Sequence, residues 1–204
     1  MTALPPELFE TPLPGLARAL TRAEGNAIGN YLNLLTKWQK TQRLVGSTAV
    51  NWMIDNLVLD SLAFLAALPP DTVRVADVGS GAGIPGIPIA IVRPNLSVTL
   101  IESRRRRTSF LSTAVRELGL SNTEVVEGRV EDLGVSLRER FDVIMMRCAG
   151  APEELLLPVQ TLARSGGVVV MAGGQQSNAP RGAETLTIQT LDGRRRLLYR
   201  VHKP

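Results

Sequence analysis

The chain is poor in the residues that build metal and disulfide sites. Its single cysteine, Cys148, excludes a disulfide within the chain and fits a reducing, cytoplasmic setting. Its single histidine, His202, lies near the C-terminus. One cysteine and one histidine cannot make a zinc cluster, so no metal is expected. Lysine is scarce: of the 23 basic residues all but Lys37, Lys40 and Lys203 are arginine. No apolar run approaches the roughly 20 residues of a membrane span, so no membrane partner is expected. The start, MTALPPELFETPLPG, lacks the charged-then-apolar layout of a signal peptide.

What is present suits a globular protein. The 204 residues are 44% hydrophobic, enough for one domain with a small appendage and a real core. Net charge is +4, and arginines cluster at 104–107 and 194–196. Arginine forks bind phosphate in bidentate fashion, so a nucleic-acid partner is one reading and a solvated arginine-rich surface the other. No segment resembles a coiled coil. The oligomeric state is not written in the sequence, and a monomer is the simplest expectation.

Two zones follow one another. Residues 1–15 are proline-rich and predict irregular chain. Residues 16–68 predict helices, with Ile28, Tyr31, Leu32, Leu35 and Trp38 at the spacing of one face. A second helix carries Trp52, Met53, Leu57, Leu59, Leu62 and Leu65 and stops at PPDT, 69–72. Strands and helices then alternate. Strands are predicted over 73–78, 97–102, 123–128, 141–146 and 166–173, with helices over 84–93, 105–120 and 152–163. Two further strands, 184–191 and 195–201, meet at Asp192-Gly193, a hairpin signal. The alternation implies an α/β fold with a mostly parallel, doubly wound sheet, closed by an antiparallel element at one edge. The expected division is a helical cap over 1–70 and a ligand-binding domain over 71–204.

The stretch ADVGSGAGIPGIPIAIVRP, 76–94, places Gly79, Gly81, Gly83 and Gly86 between a strand and a helix. Ligands of such folds sit at the carboxyl ends of the strands, and glycine lets the backbone touch them. Read from Gly81, the stretch also fits G-x-G-x-x-G, a weak signal alone. Glu102 ends the next strand, 19 residues after Gly83. A carboxylate there can accept from both hydroxyls of a ribose. Asp77 can orient the loop or serve a ligand ammonium. Glu131 and Asp132 follow the third strand and are placed for an adenine. A row of acids repels a pyrophosphate and favours a cation, so S-adenosylmethionine (SAM) is preferred over NAD.

The motifs DVGSGAGIPGIPIAIVRP, TLIESRRRRTSFL, EGRVEDL and FDVIMMRCAG resemble the RsmG (GidB) family of ribosomal RNA guanine-N7 methyltransferases. The resemblance extends more weakly to LLTKWQKTQRL and LVLDSL and so covers nearly the whole chain. It implies a class I SAM-dependent methyltransferase fold with an N-terminal helical cap. It implies cofactor contacts at Gly79, Ile84, Glu102, Val130, Glu131 and Arg147, with Arg147 also the candidate catalytic residue. The implied acceptor is guanine N7 in small-subunit ribosomal RNA, free or within the subunit. The chain departs from the family pattern at Arg43, Asn56, Leu57, Cys148 and Gly173. These departures keep two alternatives open: an enzyme acting on a small molecule or protein, and a SAM-binding module without catalysis.

Overall fold

The computed structural model describes residues 2–147, 152–173, 179–191 and 193–204. Cys148 and Asp192 fall outside them. Seven strands form one sheet: β1 Arg74–Val78, β2 Ser97–Glu102, β3 Thr123–Glu127, β4 Phe141–Met146, β5 Ala163–Gly173, β6 Glu184–Gln189 and β7 Arg195–His202. Their order is β3-β2-β1-β4-β5-β7-β6. The first five run parallel, while β7 is antiparallel to both β5 and β6. The chain leaves β1 toward β2 on one side and later returns to place β4 on the other. That reversal opens a crevice at the carboxyl ends of β1 and β4.

The helices are α1 Arg22–Gln42, α2 Val50–Ala67, α3 Gly86–Val92, α4 Arg105–Glu117, α5 Val130–Leu133 and α6 Pro152–Gln160. A capping box starts α1: the Thr21 hydroxyl accepts from Glu24 N, and the Glu24 carboxylate accepts from Thr21 N. Its apolar stripe buries Ile28, Tyr31, Leu32 and Leu35. Trp38 meets Phe110 of α4 edge to face, centroids 5.7 Å apart. The proline-rich start is more ordered than its composition suggests. Pro6–Phe9 forms a 3₁₀ turn, and Leu8 and Leu13 are buried.

By composition alone α2 could pass for a membrane span. Its 18 residues have a mean hydropathy of 1.2, long and apolar enough by composition to cross a membrane. Yet 61% of the stretch is buried in the fold, where Met53, Leu57, Leu62 and Phe64 join the core. Its middle, Ile54–Leu59, widens into a π turn. Leu32 of α1, Leu62 of α2, Ile87 of α3, Leu100 of β2 and Val143 of β4 belong to a single apolar cluster. The helical segment and the sheet therefore share a core.

Tyr31 carries this packing to the crevice. It is fully buried, and its hydroxyl donates to the Ala82 carbonyl at 2.7 Å, 51 residues away. Burial raises its phenol well above the ordinary value, so it stays a neutral donor. Tyr31→Phe leaves a buried carbonyl unpaired, at a cost of about 1–3 kcal/mol. Urea unfolding should show that loss with an unchanged slope. An unchanged midpoint would mean that α1 does not brace the loop.

Candidate active site

The loop after β1 is strapped by its own backbone. Gly79 N and Ser80 N both donate to the Ile101 carbonyl of β2, at 2.9 and 3.1 Å. The Ser80 hydroxyl donates to the Asp77 carbonyl at 2.7 Å. The Ile84–Pro85 peptide is cis. The four glycines divide into two pairs. Gly79 and Gly81 have φ of +74° and +56°, in the left-handed region. A Cβ at Gly79 would meet nothing within 4 Å, and one at Gly81 only Arg107 Nη1 at 3.6 Å and Gly79 O at 3.7 Å. The protein leaves that space open. At Gly83 a Cβ would strike the Ile87 side chain, and at Gly86 the side chains of Leu100 and Asp77. Those two glycines serve packing inside the protein.

Three side chains hold the loop from outside. Tyr31 is one. Glu102 is the second: its Oε2 accepts from Gly81 N at 2.9 Å and its Oε1 from Arg104 N at 2.8 Å. Arg107 Nη1 stands 3.9 Å from Glu102 Oε2. Asp77 is the third: its Oδ2 accepts from Gly86 N at 3.0 Å. Its other oxygen, Oδ1, is buried with no hydrogen-bond partner. Burial is the largest influence on Asp77 and pushes its carboxyl up to about 7, although the Gly86 N–H opposes the shift.

A cavity of about 480 Å³ opens above the loop. Its wall includes Trp52, Leu57, Gly79, Ile84, Glu102 and Arg147. Leu44, Val45 and Gly46 line it from the α1–α2 connection, and the Gln39 amide fixes that connection by donating to Val45 O and accepting from Val45 N. The structure therefore brings together Gly79, Gly81, Ile84, Glu102 and Arg147. Asp77 and Gly83 lie behind the wall. Val130 is buried beside β3 and Glu131 is exposed on α5; neither lines the cavity. Of the first arginine cluster, Arg104 and Arg107 line it, and Arg104, Arg105 and Arg106 are exposed.

Arg147 follows β4. Its Nη2 donates to the Asn56 carbonyl at 2.7 Å and lies 3.7 Å from Asp60 Oδ2. Arg196 of β7 pairs with the same Asp60 through Nε. Arg194 reaches Asn56 Oδ1 at 3.3 Å and Asp55 at 3.7 Å. The second arginine cluster is thus beside the first site, a placement sequence reasoning left open. It missed Tyr31, Asn56 and Asp60 as site residues. A tyrosine on an otherwise apolar helix face was a usable signal, since its hydroxyl needs a partner.

A strand-order reversal, a glycine loop with its two outward-open positions and an acid ending β2, in a seven-stranded sheet with an antiparallel β7 between β5 and β6, together have the form of the class I SAM-dependent methyltransferase fold. The structure of Methanocaldococcus jannaschii TYW2 in complex with AdoMet shares the fold, with a TM-score of 0.52 at 16% identity over 65% of this chain and 68% of that one. A sequence model of the GidB family, described as rRNA small subunit methyltransferase G, matches residues 24–199. The ribosomal RNA small subunit methyltransferase G of Chromobacterium violaceum is 36% identical over 199 residues, covering 93% of this chain and 94% of that protein. The Xanthomonas campestris protein of the same name is 34% identical over 212 residues, covering 98% of each. The chain belongs to this family.

Asp77 predicts a pH dependence of stability. Its folded value near 7 exceeds the unfolded value of about 3.9, so the folded state holds the proton more tightly. The neutral form is favourable at low pH, and that advantage is lost as pH rises from about 4 through about 7. The full loss is on the order of 4 kcal/mol. Asp77→Asn should therefore raise the melting temperature of the ligand-free protein most at pH 8, less at pH 5 and little at about pH 3. Equal melting temperatures at pH 8 would contradict the assignment.

Proposed function

We propose that this chain transfers a methyl group from SAM to guanine N7 of small-subunit ribosomal RNA. The observation that carries the reading is the cavity above Gly79 and Gly81, walled by Glu102 and Arg147, in a member of a family named for that substrate. The residues fit the cofactor. Gly79 and Gly81 leave room for a ligand where side chains would stand. Glu102 spends one lone pair of each oxygen on loop amides and keeps about two for vicinal ribose hydroxyls. Asp77 offers a buried, unpaired oxygen and a carboxylate ready to ionise for a cation. Bound SAM supplies an electrophilic methyl on a positively charged sulfonium.

The protein's part is placement. Guanine N7 carries a free lone pair and loses no proton before attack, so no general base is required. Aligning acceptor and donor supplies most of the rate. Arg147 is the positioning group, itself held by Asn56 and Asp60. Arg104, which lines the cavity, and the neighbouring exposed Arg105 contact RNA phosphates. Val130 and Glu131 stay outside the wall, so any cofactor contact there needs α5 to approach. The N-terminal helices serve as a cap whose connection, Leu44–Gly46, roofs the site. A ribosomal RNA substrate agrees with the cytoplasmic setting expected from the sequence.

Transfer of labelled methyl from SAM to small-subunit ribosomal RNA, with the product read as 7-methylguanosine, tests the reading. Label in protein or in small molecules alone would replace it. Glu102→Gln should weaken SAM binding roughly 10- to 100-fold, the value of one or two charge-assisted hydrogen bonds. Calorimetry giving wild-type affinity would remove Glu102 from the cofactor site. Arg104→Gln with Arg105→Gln should lower RNA affinity and cut the log–log salt slope by up to about 1.5–2. SAM affinity should stay unchanged. An unaltered slope would make these arginines a solvated surface.

A further inference from the structure

Behind Arg147 lies a second, smaller cavity of about 190 Å³. Arg147 lines both cavities, so the two adjoin at its side chain. The small cavity has one wall from α2, where Asn56, Asp60 and Phe64 recur every fourth residue on one face. The opposite wall is Ala172 and Gly173 of β5 with Arg196, Leu197 and Leu198 of β7. Its volume is below the roughly 300–1,000 Å³ of sites for larger ligands, which suits a single ring system. Phe64, Ala172, Leu197 and Leu198 give it apolar surface, and Asp60, Arg147 and Arg196 give it one carboxylate and two guanidiniums.

Asp60 is the informative group. Its side chain is 15% exposed and faces the cavity. One oxygen accepts from Arg196, and the other lies 3.7 Å from Arg147. A carboxylate offers about four acceptor positions, so two remain for a ligand. The ligand edge that fits has two neighbouring N–H donors beside an acceptor that faces an arginine. Among the nucleobases, guanine has that edge: N1–H and N2–H beside O6. Adenine presents an acceptor at N1, cytosine a single amino donor, and uracil a single ring N–H. A guanine held by this edge leaves N7, on the imidazole side of the ring, unengaged. Arginine reading of O6 and N7 in duplex DNA would instead occupy the nucleophile.

We propose that this cavity is the acceptor-base subsite and that Asp60 selects guanine by accepting from N1–H and N2–H. The inference rests on the methyltransferase reading above, but its test does not depend on turnover. The methyl signals of Ala172, Leu197 and Leu198 report on the cavity by NMR. Titration of the full chain with GMP, IMP and AMP should displace them with dissociation constants rising in that order. IMP lacks the N2 amino group and AMP lacks both donors. Each lost donor should weaken binding roughly 5- to 100-fold, the discrimination typical of a good base contact. Asp60→Asn should erase the preference for GMP over AMP, giving equal dissociation constants for the two.

Absence of methyl displacement by GMP, or equal affinities for GMP and AMP in the wild type, overturns the inference without any variant. Methyl transfer to ribosomal RNA with intact guanine selectivity in Asp60→Asn overturns it while leaving the function standing. Ordered GMP, IMP and AMP binding in a protein that transfers no methyl to RNA keeps the base subsite and removes the proposed function.

Discussion

At the centre of the molecule a carboxylate is buried beside a single backbone donor. Asp77 is fully inaccessible, it accepts from Gly86 N, and among the described residues no cation approaches within ion-pair distance. Taking a charge out of water without compensation is costly, so the group is held near neutrality by its proton. The geometry around it follows. Gly86 must lack a side chain because Asp77 and Leu100 occupy that space. The loop between them must then turn through left-handed glycines, and those glycines expose the floor of the cavity. A buried carboxyl pushed up to about 7 beside a crevice is the kind of group that marks a functional site.

The other half of the site is assembled from distant parts of the chain. Arg147 ends β4, Arg194 and Arg196 open β7, and Asp55, Asn56 and Asp60 lie on α2. Three arginines share two aspartates across the gap between the N-terminal helices and the sheet, Asp60 facing both Arg147 and Arg196. Truncating one partner would strand another, so the group acts as a unit and single substitutions should not add. The shared apolar core beneath gives these side chains a rigid base: Phe64 and Leu198, which line the smaller cavity, are both almost wholly buried.

Much of this was legible in the sequence where local pattern decides structure. The limits of β2 and β4 coincide with the apolar runs 97–102 and 141–146, because both strands are covered on both faces. β5 begins at Ala163, before the predicted 166, since Ser165-Gly166-Gly167 looks like a turn. It is an irregularity in the ladder between the pairs Phe141–Ala163 and Val143–Val168. Glycines 79, 81, 83 and 86 announced a close approach, but not that two face open space and two serve packing. That division depends on Ile87, Leu100 and Asp77 across the fold. Asn56 stood out only as a departure from the family pattern and Asp60 only as part of LVLDSL. Their role depends on β7 lying next to β5, a long-range pairing that no local pattern encodes.

The central claim is that the glycine-loop cavity takes a cationic cofactor and that Asp77 ionises when it does. Calorimetric titration of SAM at pH 7, in two buffers of different ionisation enthalpy, measures both together. The wild type should bind SAM and release about half a proton more than Asp77→Asn, as a carboxyl with a value near 7 gives up its remaining proton. Absence of SAM binding, or the same proton balance in both proteins, would contradict the account.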